Sequence, residues 1–404
     1  MNTTLQTRDN ETHQGKFIAR GSASWSSKLF GLVGTLILCL AILEGVFYLA
    51  KVGESDHLMP DSYVGFKPIA GKRVTQRKEG FSSLTLNSRG MQNDEVTLAK
   101  PMGTLRVAVF GDSFVEALQV PRQDNYCSLL AKQLESQLKR PVQVLNFGVS
   151  NYSVAQDLLR YETLARQFHP DLVILAYRVG ETEKVLPNAT QGLAFIRPVF
   201  FPDSKGKMVY SDAVIKEYAH SKEYKRLQAT HWLRCYSRIW GVLGQLNAGW
   251  ISFWQAGSSR TTSAGPAVQA LISTDRNREE FAKCYWYMVD GVLKKFADDV
   301  KADGARMLIL RTPFKMEGRR DTVKNPTETR LLRNTADNIN VSFFDIDSEL
   351  AREDVDNHTR EYFLEFGHFS RALHKQVAEK LGTFIGHQGL LVNVRPEAGL
   401  QSGE

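Results

Sequence analysis

The sequence predicts a doubly wound α/β domain, and two observations carry that prediction. From Leu105 onward, short β-branched or apolar runs alternate with helical patterns, and the runs lead into glycine-containing turns or loops where a strand would hand over to a helix. A third observation, an apolar stretch of bilayer-crossing length near the N-terminus, predicts an anchor ahead of that domain.

The chain of 404 residues, 43% hydrophobic and 10% aromatic, is long and apolar enough for a sizeable core. Its 51 Lys and Arg against 44 Asp and Glu give +7, but the charges are dispersed and no nucleic-acid-binding motif appears, so a nucleic-acid partner is not expected. There is no internal repeat of 20 to 50 residues.

Residues 1 to 28 are polar and Ser/Thr-rich and read as a disordered tail. Leu29 to Ala50, LFGLVGTLILCLAILEGVFYLA, follows with Glu44 as its single charge. The competing reading is a cleaved signal peptide. The run exceeds a usual signal core and no A-x-A-like cleavage site follows cleanly, so a retained single-pass anchor is expected. Arg8, Lys16, Arg20 and Lys28 precede the span while Glu54 and Asp56 follow Lys51, which favours an extracytoplasmic domain on the inner (cytoplasmic) membrane, periplasmic in a two-membrane envelope. Glu44 has two readings, a side chain reaching the interface or a contact with a membrane partner. Residues 51 to 103 are mixed and loop-rich, a juxtamembrane segment. Cys39 falls in the span, and Cys127, Cys235 and Cys284 lie outside it without C-x-x-C or metal-ligand spacing.

Five strands are predicted: LRVAVF (105 to 110), PVQVLNF (141 to 147), PDLVILAY (170 to 177), ARMLILRTPF (305 to 314) and NVSFFDI (340 to 346). Helical patterns separate them, and SRALHKQVAEKLGTFI closes the domain near residue 388, with a tail from 389 to 404. Ligands of such sheets gather at the carboxyl ends of the strands. Gly111-Asp112-Ser113 stands at the first of these ends, Gly148 at the second, Gly180 past the third, and His368 in the loop before the last helix. Gly, Asp and Ser also make ordinary strand-to-helix turns. It is the company of the other three positions that points to nucleophilic acyl chemistry. No cofactor or metal is called for by these residues.

The stretches GDSF, NFGVSNYS, LVILAYRVGETE and EFGHFSRALH resemble, in order and spacing, the blocks of the SGNH (GDSL-type) hydrolase family, in particular membrane-anchored bacterial members linked to cell-surface polysaccharide. The resemblance runs from about Leu105 to Ile385, apart from much of the interval 190 to 275. It implies a flavodoxin-like three-layer α/β/α sandwich and ester hydrolysis or acyl transfer. By residue it implies Ser113 as nucleophile, His368 as general base, and the N–H groups of Ser113 and Gly148 as oxyanion donors. Glu365, three residues before His368, takes the place of the usual Asp of the triad. Glu181 stands where the family has an oxyanion-donating Asn, a departure that sets an acceptor in a donor's place. His374 reads as a packing histidine and His169 as loop.

The expected activity is that of an envelope serine esterase or deacylase acting on an acylated glycan or another ester. Two alternatives stand beside it: O-acyl transfer to a glycan, and a catalytically weakened glycan-binding or scaffold protein. The interval 190 to 275 is read as a cap-like insertion: FIRPVFFPDSKGKMVY predicts a hairpin with a Lys-Gly turn. In HWLRCYSRIWGVLGQLNAGWISFWQA, Arg234, Arg238, Gln245 and Asn247 argue for an amphipathic helix packed on the domain over a second membrane span.

Overall fold

The computed structural model describes residues 25–53, 57–77, 79–178, 180–185, 193, 196–244, 246, 275–313, 325–351 and 359–392. Residues up to Val52 and residues from Gly53 onward form separate compact units. Among its described residues the first contains one helix, Trp25–Leu49, with a mean hydropathy of 2.3 over its most apolar window and no buried residue. It starts four residues before the predicted span and is long and apolar enough to cross a membrane, as an anchor or as a signal sequence.

The second unit is built on five parallel strands: β5 (Leu105–Phe110), β6 (Val142–Asn146), β7 (Leu172–Arg178), β10 (Arg306–Thr312) and β11 (Ser342–Asp345). They lie in the order β11-β10-β7-β5-β6, the 2-1-3-4-5 arrangement of flavodoxin-like sheets. All five predicted strands are present. The apolar runs are continuous because both faces are covered, and alternate side chains enter different cores. Ala108, Phe110, Val173, Leu175 and Ile309 pack with helices Val154–Thr163, Asp275–Ala302 and Pro326–Asn338. Val107, Val109, Ile174, Leu308 and Leu310 pack with Tyr126–Leu138 and Arg371–His387 on the other face. The core extends past the predicted end at 388, since Leu390 and Leu391 are buried; residues 393–404 of the expected tail lie outside the described residues.

The segment read as loop-rich holds two hairpins, β1 (Leu58–Asp61) with β2 (Gly65–Pro68) and β3 (Arg73–Gln76) with β4 (Ser82–Thr85). Strands of four residues with Pro and Gly leave little periodicity for a sequence reading to detect. They pack on the sheet domain through specific bonds: Tyr152 donates its hydroxyl to the Phe66 carbonyl at 2.7 Å, and Ser82 donates to the Leu118 carbonyl. The expected hairpin of the insertion forms as β8 (Val199–Pro202) and β9 (Met208–Ser211), with Gly206 in its turn. Gln245, Asn247 and the rest of 247–274 lie outside the described residues. None of the four cysteines forms a disulfide.

Candidate functional site

The first and third sheet strands in chain order, β5 and β7, are neighbours, so the carboxyl ends of β5, β6 and β7 converge where strand order reverses. Asp112 leaves β5 and accepts from the Phe114 N–H at 3.2 Å, which opens the short helix Ser113–Glu116 with Ser113 at its first position. The turn after β6 crosses directly over that helix. A Cβ at Gly148 would stand 2.5 Å from the Glu116 nitrogen, so the close approach requires glycine.

Ser113 and His368, 255 residues apart, meet with Oγ and Nε2 at 2.9 Å. On the other side of the ring, Nδ1 lies 2.5 Å from Glu79 Oε2, while Glu79 Oε1 accepts the backbone N–H groups of Phe366 (2.9 Å) and His368 (3.0 Å). The histidine side chain remains 24% exposed and Glu79 only 3%, and Ser113 is partly exposed, so the serine and the ring face a ligand while the carboxylate lies behind them. Burial alone would raise the Glu79 carboxyl, but the bond and charge of His368 and the two backbone donors hold it below its ordinary value.

This corrects the assignment of Glu365. The chain turns tightly between Leu364 and His368, with Leu364 N–H donating to the His368 carbonyl at 2.8 Å, Gly367 N–H to the Leu364 carbonyl at 3.0 Å, and an antiparallel bridge between Phe363 and Phe369. Glu365 falls at the exposed tip of that turn. The three-residue spacing that made it the nearest carboxylate in sequence carries it away from the ring.

The oxyanion expectations also change. The Gly148 N–H is donated within its own turn to Asn146 Oδ1 at 3.0 Å. Glu181 is buried and bonded to Lys184 Nζ at 2.6 Å, with Arg178 Nη2 at 3.7 Å. Lys184 also donates to Asp112 Oδ2 (3.1 Å) and the Tyr152 carbonyl (2.7 Å), and Arg178 Nε to Asp112 Oδ2 at 2.6 Å. Burial raises Glu181, with Lys184 and Arg178 opposing. At Asp112 burial also raises, but Lys184 and Arg178 prevail and the carboxyl is held far below its ordinary value. The Arg178 guanidinium pairs with Asp112, the residue before Ser113, and lies 5.7 Å from the ring centre of Phe114, the residue after it; that ring lies 5.1 Å from the ring of His368. Glu328 fixes the loop carrying Glu181 by accepting from Gly180 N–H (2.9 Å), Thr182 N–H (3.2 Å) and Thr182 Oγ1 (2.8 Å).

A further buried carboxylate, Glu116, joins the helix of Ser113 to the turn after β6: it accepts the Ser150 N–H at 2.8 Å and lies 3.0 Å from His57 Nε2. Glu79, His57 and Glu328 were not legible as site residues, since each acts across a long sequence separation. His374 is a packing histidine, as expected: Nδ1 accepts the Tyr126 N–H at 3.3 Å, and burial pushes its pKa down to about 3. His169 is exposed in a left-handed loop position. Among the described residues, no group of three or more His, Cys, Asp or Glu is arranged to hold a metal ion.

No protein-family model and no curated protein matches the sequence. Among solved structures, the chain is similar to an alpha/beta hydrolase enzyme from the metagenome of Lake Arreo, Spain, at 13% identity over 71% of this chain and 96% of that one, with a TM-score of 0.38. It is similar to TesA at 14% identity over 69% and 97%, TM-score 0.35, and to the acetylxylan esterase Axe2 from Geobacillus stearothermophilus at 14% over 70% and 96%, TM-score 0.35. Likeness at this level carries no information about activity.

Proposed function

We propose that the protein is a membrane-anchored serine esterase of the cell envelope, with an acylated polysaccharide or another acylated glycan as its substrate class. The supporting observation is the continuous relay from Ser113 Oγ through His368 to the buried Glu79 carboxylate. A serine hydroxyl is a weak nucleophile until a neighbouring imidazole removes its proton, and a carboxylate on Nδ1 fixes the tautomer and stabilises the imidazolium. In the proposed reaction, His368 Nε2 takes the Ser113 proton as Oγ bonds to the ester carbon. The C–O bond to the alcohol then breaks and His368 returns the proton to the departing oxygen. Water, deprotonated by the same nitrogen, releases the acid and restores Ser113. The Ser113 N–H and the Arg178 cation are the groups assigned to the transient oxyanion, in place of the Asn the family would supply. The helix Trp25–Leu49 serves as the retained anchor, with the domain on the extracytoplasmic side. Hydrolysis of a short-chain aryl ester tests the reading: wild type is expected to turn over and Ser113→Ala to fall to the uncatalysed rate. Equal rates for the two proteins would overturn it.

A further inference from the structure

The helix that begins with Ser113 is a single turn, Ser113–Glu116, closed by Ala117 in a left-handed conformation whose N–H returns to the Ser113 carbonyl at 2.9 Å. A first helical turn fixes several backbone dihedrals for one hydrogen bond, so it takes its order from whatever it is bonded to. Asp112 caps its start, and Asn146 Nδ2 and Gln92 Nε2 donate to the Val115 and Ala117 carbonyls at 2.6 and 3.1 Å. Phe114 and Val115 pack into the apolar core, which leaves Glu116 as the one ionisable side chain of the turn.

The Glu116 side chain is 2% exposed, and both of its oxygens are engaged. Oε2 accepts the Ser150 N–H at 2.8 Å and the Ser150 hydroxyl, and Oε1 lies 3.0 Å from His57 Nε2. Burial alone would raise the carboxyl, but the charge and bond of His57 and the two Ser150 donors hold it below its ordinary value. His57 is fixed in turn, because its carbonyl accepts the Ile69 N–H at 2.8 Å and so continues the β1–β2 pairing by one residue. The same hairpin packs on the turn after β6: Phe66 is buried against Val149 and Tyr152, and the Val64 carbonyl accepts from Gln156 Nε2 at 2.8 Å. Helix, turn and hairpin are therefore joined pairwise, with Glu116 in two of the three joints.

We infer that Glu116 is a positioning residue for the reaction at Ser113, and that His57 holds it there, so that docking of the hairpin β1–β2 fixes the orientation of the nucleophile's Oγ and N–H toward His368 and the transient oxyanion. The inference rests on the esterase reading above. The Glu116 carboxylate bonds to Ser150 and His57 rather than to Ser113 Oγ or His368, so its effect passes through the placement of the turn. Misplacing reacting atoms by about 1 Å costs on the order of 10²-fold in rate. Such a loss is one of transition-state stabilisation and falls on kcat, with KM little changed.

The test uses the full chain, with aryl-ester kinetics, fluorophosphonate labelling of Ser113 and urea unfolding measured on the same preparations. His57→Gln sets an amide N–H where Nε2 stands, whereas the side chain of His57→Asn is one bond shorter and does not reach Glu116. His57→Asn is expected to lose about tenfold or more in kcat and in labelling rate with KM within about twofold, and His57→Gln to recover to within about threefold of wild type. Glu116→Ala should lose about 10²-fold where it folds, and where it does not, the His57 pair decides. Wild type that labels at Ser113 while His57→Asn matches it in kcat, whatever its loss in urea, overturns the inference and leaves the esterase reading standing; so does a loss confined to KM, or an equal loss in His57→Gln and His57→Asn. Wild type that neither turns over nor labels at Ser113 overturns the esterase reading, and the inference with it.

Discussion

Two buried carboxylates are tied to the Ser113 turn, Glu79 through His368 and Glu181 through a cation that also holds Asp112, and their surroundings drive them in opposite directions. Glu79, brought in by the segment ahead of the sheet domain, faces an imidazole and two backbone donors and is held below its ordinary pKa. Glu181, on the loop after β7, is raised by burial among charges, even with Lys184 at 2.6 Å and Arg178 at 3.7 Å. One set is thus a relay with a partly open histidine, the other a buried cluster of Asp112, Glu181 and Lys184 with Arg178, 15% exposed, at its edge. The difference teaches that a carboxylate's role follows from what faces it: Glu181, expected at an oxyanion-donor position, pairs with Lys184, and Glu365, expected beside His368, falls on an exposed turn while Glu79 takes that place.

The comparison breaks most sharply at Glu79. Glu79→Gln keeps the shape but loses the charge that sets the imidazole tautomer, so kcat on an aryl ester should fall by about 10³- to 10⁴-fold, while Glu365→Gln should leave it within a few-fold. In the buried cluster, Lys184→Met strips Asp112 and Glu181 of a shared cation and should cost about 3–5 kcal/mol in urea unfolding. His374 gives a smaller, pH-dependent effect. Its folded pKa near 3 lies below the ordinary 6.5, so the unfolded chain binds the proton first and stability is lost as pH falls below about 6.5. His374→Gln, which keeps an acceptor for the Tyr126 N–H, should remove about 1.4 kcal/mol of that loss per pH unit between roughly 6 and 4. Smallest is Glu181→Gln: because burial already disfavours its charge, stability at pH 7 should change by less than about 1 kcal/mol, and kcat less than in Glu79→Gln.

What could be read from the sequence follows from how locally each feature is encoded. The five sheet strands were legible because a parallel sheet covered on both faces writes continuous apolar runs, and Ser113 and His368 because each sits in a short motif at an element boundary. Glu79 was not, because it lies 289 residues from its partner in a segment of four-residue strands, whereas Glu365 offered a local spacing whose turn points it to solvent. Asn146, which occupies the Gly148 N–H, was equally hidden, since a side chain reaching two residues forward leaves no periodic trace. Leu390 and Leu391 extend the core past the expected end for a similar reason: two apolar residues are too few to show a period.

The central claim, that His368 and Glu79 activate Ser113, is tested most directly by the rate of covalent labelling with a fluorophosphonate, which needs no knowledge of the natural substrate. Wild type should be modified at Ser113, as located by peptide mass spectrometry, with Glu365→Gln labelling at a similar rate, Glu79→Gln slower by at least 10²-fold, and Ser113→Ala not at all. Labelling of wild type at another residue, or equal rates for Glu79→Gln and wild type, would contradict the account.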